Sequence, residues 1–197
     1  MPQDIHPVET RPLRADGRRN RARLVEAAKR GFAEQGPNVP LEHIARDAAV
    51  GIGTLYRHFP TRDALIEAVY RQEVDALVDA ASQMEANQSS GEALRSWLVL
   101  FVDFLETKQG IGAVLDTLIG GSEPLYSGTP ARLSPPIDRL VERANADGDV
   151  QIDIAPLNLL RAIAGVATIR PETGWKQQAV ALIDLLLRSG RNAGIRG

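Results

Sequence analysis

The sequence predicts an all-α protein of about nine helices: an N-terminal three-helix unit containing a helix-turn-helix, then a larger C-terminal helical domain. Three observations predict it. Apolar residues recur at three- and four-residue intervals almost throughout, and no segment sustains two-residue alternation. Proline and glycine fall between the periodic segments, where they start or stop helices. Two of those segments are very short and stand only three residues apart, across Ala49-Val50-Gly51.

The elements follow in order. Residues 1–17 hold three prolines and a glycine and read as a flexible basic arm. Leu24, Ala27, Ala28 and Phe32 share one helical stripe, which Gly36-Pro37 ends. A second helix begins after Pro40 and turns Leu41, Ile44, Ala45 and Ala48 inward. Leu55 and Phe59 anchor a third, stopped by Pro60. Thr61 is a good N-cap for a long fourth helix carrying Leu65, Ile66, Val69, Tyr70, Val74, Leu77 and Val78 inward. After a polar break at 85–91, a fifth helix covers 92–108 and a sixth covers 111–119, ended by Gly120-Gly121. Residues 121–133 read as a mobile loop, and Ser134-Pro135 as the cap and first turn of a seventh helix. The last two helices are expected at 156–169 and 173–189, separated by Pro171. The domain expectation is therefore an arm (1–17), a helix-turn-helix domain (18–62) and a helical domain (63–197).

Composition excludes several functions. The absence of cysteine rules out disulfides, thiolate metal sites and a cysteine nucleophile. Apolar runs such as Trp97–Val102 fall far short of the roughly 20 residues that span a bilayer. No basic-then-apolar leader stands at the N-terminus, so the expectation is a soluble, cytoplasmic protein without membrane contact. The net charge of −2 conceals a polarity. Residues 1–62 carry 11 Lys and Arg against 7 Asp and Glu, whereas residues 63–197 carry 12 against 18. A basic first third suggests that one end meets a polyanion.

The segment 41–62 makes that suggestion specific. Its second short helix is too polar for a core element. With Leu55 and Phe59 inward, Ile52, Gly53, Thr54, Tyr56, Arg57 and His58 face outward. Hydroxyls and an imidazole bond phosphates, a glycine permits close approach, and Ile and Thr methyl groups pack on thymine methyls. Arg62, at the start of the next helix, adds a guanidinium to free amides and suits a phosphate.

The run Val50-Gly51-Ile52-Gly53-Thr54-Leu55-Tyr56-Arg57-His58-Phe59-Pro60-Thr61-Arg62, with Ile44-Ala45 before it and Leu65 after, resembles the DNA-binding domain of the TetR family of bacterial transcriptional regulators. Residues 101–110 look like the SbtR-type branch of that family. The resemblance implies a homodimer on a pseudo-palindromic double-stranded operator, with one recognition helix in each of two major grooves. It implies that Thr54, Tyr56 and His58 touch backbone or bases, that Ile52 and Gly53 lie near base edges, and that Arg62 meets a phosphate. It also implies a C-terminal regulatory domain whose last two helices form the dimer interface, and repression relieved by a small effector. Two positions depart from the family pattern. Val39-Pro40-Leu41 stands where the family places a capping Thr or Ser, and Ala49 stands where it commonly has glycine.

Trp97, Phe101, Phe104 and Tyr126 are candidates for lining an effector cavity; the spacing of Trp97, Phe101 and Phe104 also fits plain core, and Tyr126, in the 121–133 loop, reads as a gate. With few polar groups inside these helices, a bound effector would be largely apolar. No cofactor or metal is expected: the three histidines have no ligand spacing, and Asp147-Gly148-Asp149 lacks the remaining oxygens of a calcium loop. No nucleophile–base set supports an enzyme. The alternative is a DNA-binding architectural or co-repressor protein without an effector.

Overall fold

A computed structural model describes residues 11–36, 38–115, 123–168 and 174–193, with some side chains at the margins of these segments, Tyr126 among them, outside the description. Eight helices are found among these residues: α1 (Arg11–Gln35), α2 (Leu41–Asp47), α3 (Ile52–His58), α4 (Arg62–Asn87), α5 (Ser90–Leu115), α6 (Glu123–Ala146), α7 (Pro156–Thr168) and α8 (Trp175–Ala193). The chain divides into two compact units after Val69, so the first residues of α4 belong to one unit and the rest to the other. None of the described helices is long and apolar enough to cross a membrane.

Three expected elements take a different form. Residues 11–17 are helical rather than an arm, because α1 begins at Arg11. The expected fifth and sixth helices are one, α5, which runs through Gly110 and Gly112; each glycine costs a helix only about 1 kcal/mol. The loop expected at 121–133 is helical from Glu123, although Pro130, Pro135 and Pro136 lie inside α6 and each removes a backbone donor. Burial of Leu133, Ile137, Leu140, Val141 and Ala144 along that helix offsets the loss. Residues 116–122, with the end expected at Gly120-Gly121, lie outside the described residues.

In the first unit α1, α2 and α3 pack on one another around Leu24, Phe32, Ile44, Leu55 and Leu65. The Thr61 hydroxyl accepts the Ala64 amide at 3.1 Å, the N-cap expected for α4. The turn after α2 is a Schellman motif: the Val50 amide reaches the Ala45 carbonyl at 3.0 Å and the Ala49 amide reaches Arg46 at 2.9 Å. That closure places Ala49 at φ 53°, the one non-glycine residue with positive φ among those described. A left-handed alanine costs roughly 1–2 kcal/mol, partly offset by glycine's greater freedom when unfolded. Ala49→Gly is therefore expected to stabilise the protein by about 0.5 kcal/mol, read as a higher urea midpoint at unchanged slope. A lowered midpoint would mean that the turn is not strained.

The same motif closes α6, here with Gly148 at φ 76°. Asp149 donates its amide to the Ala144 carbonyl at 3.0 Å, and its carboxylate then serves a distant helix. One carboxylate oxygen accepts the Ser90 hydroxyl at 2.7 Å and the Gly91 amide at 2.8 Å, at the start of α5. A negative group there also complements the helix dipole. A Cβ at Gly91 would stand 3.0 Å from Asp149, so the close approach requires that glycine. Asp149→Ala is expected to cost about 1–2 kcal/mol in chemical denaturation. A loss of only a few tenths would show that Ser89 and Glu92, joined at 2.7 Å, cap α5 sufficiently by themselves.

Candidate nucleic-acid interface and effector cavity

The short helix α3 is held by one face. Leu55 and Phe59 are buried, and Arg21 of α1 sets its guanidinium 5.2 Å from the centre of the Phe59 ring. Outward lie Ile52 and Tyr56, 37% and 47% exposed. Gly53 and Arg57 are exposed beside them, and Thr54 and His58 are half-buried. All six outward residues named from the sequence thus share one short helix. A Cβ at Gly53 would meet no heavy atom within 4 Å, so the backbone of α3 is open to solvent there, as it is at the helical glycines Gly17, Gly128 and Gly165.

Arg62 does more than extend this surface. Its guanidinium donates to the Val39 carbonyl at 2.8 Å, tying the start of α4 to the segment before α2. This bond was not legible from the sequence. Pro40 occupies the N-cap of α2 without any side-chain hydrogen bond, as expected where the usual hydroxyl is missing. Exposed arginines continue along α1 at Arg18, Arg19, Arg21 and Arg23, with Arg19 beside Asp16 at 3.5 Å.

The second unit contains an apolar cavity of about 220 Å³ among α4, α5, α6 and α7. Phe101 and Phe104, stacked 5.9 Å apart, form part of its wall with Leu105, Leu133, Leu157 and Leu160. Tyr70 packs on Phe104 at 5.7 Å and shares a 2.8 Å hydrogen bond with Thr129, while burial raises the pKa of its phenol. Lys108 and Arg161 complete the lining, to which no carboxylate among the described residues belongs. Trp97 is not part of the wall. It is fully buried, stacked 6.2 Å from Phe101, and donates its indole N–H to the Leu77 carbonyl at 2.8 Å. Of the four aromatics named from the sequence, Phe101 and Phe104 line the cavity, Trp97 is core, and the Tyr126 side chain lies outside the described residues. Lys108, Arg161 and Thr129 were missed because they come from three different helices and no local spacing joins them.

A larger depression of about 470 Å³ is polar, but its charges serve the structure. Asp149 caps α5, and Arg95 donates to Asp184 at 2.7 Å. That hydrogen bond holds the Asp184 carboxyl below its ordinary pKa. The pair therefore contributes at neutral pH and is lost as pH falls through the carboxylate range, by a small amount at so exposed a site.

A family model for bacterial regulatory proteins of the tetR family matches residues 24–69, which include α2 and α3. A TetR transcriptional regulator from Streptomyces coelicolor is 38% identical over 87% of this chain and 98% of its own, with a TM-score of 0.77. A TetR regulatory protein from Mycobacterium vanbaalenii is 34% identical over 89% of this chain and 99% of its own, with a TM-score of 0.70. An HTH-type transcriptional regulator from Staphylococcus aureus is 33% identical over 79 residues. That match spans 40% of this chain and 43% of the staphylococcal protein.

Proposed function

Because the chain belongs to the TetR family of transcriptional regulators, DNA-binding proteins rather than enzymes, we propose that it is a dimeric repressor of a palindromic operator, released by a small effector. The observation that carries the proposal is the outward face of α3, where exposed Ile52 and Tyr56 flank Gly53, whose backbone is open to close approach. In this reading Ile52 and Gly53 approach base edges. Thr54, Tyr56, Arg57 and His58 bond backbone or bases, and Arg62 adds charge while bracing the segment before α2. The α1 arginines add phosphate attraction, which makes affinity steeply salt-dependent.

Dimerisation is assigned to α7 and α8. Leu159, Leu160, Ile163, Ile183 and Leu187 are buried within the single chain, whereas Leu185 is 57% exposed and Val166, Leu182 and Leu186 keep part of their surface. Such a face suits pairing with the same helices of a second copy. The effector would occupy the cavity of the second unit and act through α4, the helix that supplies residues to both units. It can release DNA only by preferring the state whose recognition helices are spread. A 100-fold loss of operator affinity needs about 2.7 kcal/mol of such preference.

Selection from a library of random duplexes at near-physiological salt tests the reading. The expected product is a pseudo-palindrome whose half-sites lie about one helical turn, or a multiple of it, apart. Recovery of unrelated duplexes, bound in a purely salt-sensitive way, would overturn it in favour of an architectural role.

A further inference from the structure

We propose that Arg21 is a DNA phosphate ligand, held in place by the ring of Phe59 at the C-terminal end of α3. The inference rests on the operator reading and singles out one cation among the α1 arginines.

Helical spacing explains the placement. Val25, Ala28 and Phe32 are buried on one stripe of α1, and Arg21 continues that stripe by one turn toward the N-terminus. Its side chain therefore lies on the face turned to the neighbouring helices, just beyond the point where packing covers it. The guanidinium stands over the Phe59 ring, 5.2 Å from its centre, while the residue remains exposed. Phe59 is only 2% exposed and closes α3 as its C-cap, so the platform is fixed. Its ring lies 6.3 Å from that of His58, in the last turn of α3. The cation thus joins the same end of the recognition helix as His58.

The other α1 arginines are placed differently. Arg19 faces Asp16 at 3.5 Å and Arg23 donates to Asn20 at 2.6 Å, each held by a neighbour on its own helix. Attraction to a ring needs no N–H directed at an acceptor, so Arg21 keeps its donors for phosphate oxygens. A guanidinium already held over a ring also has less rotamer freedom to lose on binding than an unsupported one.

The probes are a duplex recovered by the selection above and a scrambled duplex of equal length, titrated with the full-length protein across a salt series. Arg21→Gln is expected to lower affinity for the selected duplex about 10-fold, the worth of one exposed charge contact in each of two half-sites. The slope of log affinity on log salt is expected to become shallower by about 2, one phosphate in each half-site. The melting midpoint should move by no more than about 4 °C. Arg23→Gln makes the same charge change on another face of α1 and is expected to leave affinity and slope nearly unchanged. Arg21→Gln behaving like Arg23→Gln would overturn the inference. A loss of affinity at unchanged slope would overturn it as well, making Arg21 a brace for α3. Phe59→Leu keeps an apolar anchor and removes the ring. It is expected to cost more affinity in the natural background than beside Arg21→Gln, and equal costs would remove the ring from the account. Phosphate contacts carry no sequence information, so the scrambled duplex is expected to show the same change of slope. A natural protein that binds both duplexes equally overturns the operator reading, and the slope on the scrambled duplex still decides the role of Arg21.

Discussion

Removing the Tyr56 side chain is expected to lower operator affinity about 100-fold while leaving thermal stability where it was. The two halves of that expectation have separate causes. Tyr56 is 47% exposed on a helix held by Leu55 and Phe59, so Tyr56→Ala opens no cavity and should change stability by less than about 0.5 kcal/mol. A hydrogen bond to a charged phosphate contributes about 1.5 kcal/mol, and a dimer loses it in both half-sites. The sum, about 3 kcal/mol, corresponds to roughly 100-fold or slightly more. Fluorescence anisotropy on a selected duplex, beside a melting curve for each protein, reads both quantities. Tyr56→Phe separates hydroxyl from ring: affinity retained with phenylalanine would assign the contact to packing. Unchanged affinity for Tyr56→Ala, with the melting curve also unchanged, would remove α3 from the interface.

The pairing of α2 with α3 was readable because everything that specifies it is local. Two seven-residue helices, the four residues that join them, Pro40 before and Pro60 after all lie within 21 residues. The same holds for Thr61, whose hydroxyl caps an amide three residues away. Where sequence reasoning departed from the structure, the deciding contacts are distant. Prolines 130, 135 and 136 argue locally for a loop, and only the burial of Leu133, Ile137 and Leu140 against other helices overrules them. Asp149 looks like a turn residue, and its role as cap of α5 is fixed by atoms 58 and 59 residues away. The cavity shows both sides of the matter. Periodicity placed Phe101 and Phe104 inward, yet it could not show that α6 and α7 leave space beside them or bring Arg161 to the same edge. Trp97 has the same spacing, and what separates it is a hydrogen bond to a carbonyl 20 residues earlier.

That separation gives the last expected result. Trp97→Ala should cost about 3–5 kcal/mol, against a total stability for ordinary domains of about 5–15 kcal/mol. The indole is fully buried, so its removal forfeits transfer energy and leaves a void that neighbouring helices fill only in part. The stack on Phe101 is lost as well, while the Leu77 carbonyl keeps its place in the α4 ladder and is not orphaned. Phe104→Ala provides the contrast. Phe104 already borders open space, so its truncation enlarges an existing cavity rather than creating one, and should cost less. Urea denaturation followed by circular dichroism measures both, without relying on tryptophan emission. A Trp97→Ala loss no greater than that of Phe104→Ala would contradict the assignment of Trp97 to the core. It would return that residue to the cavity wall, where spacing alone had also allowed it.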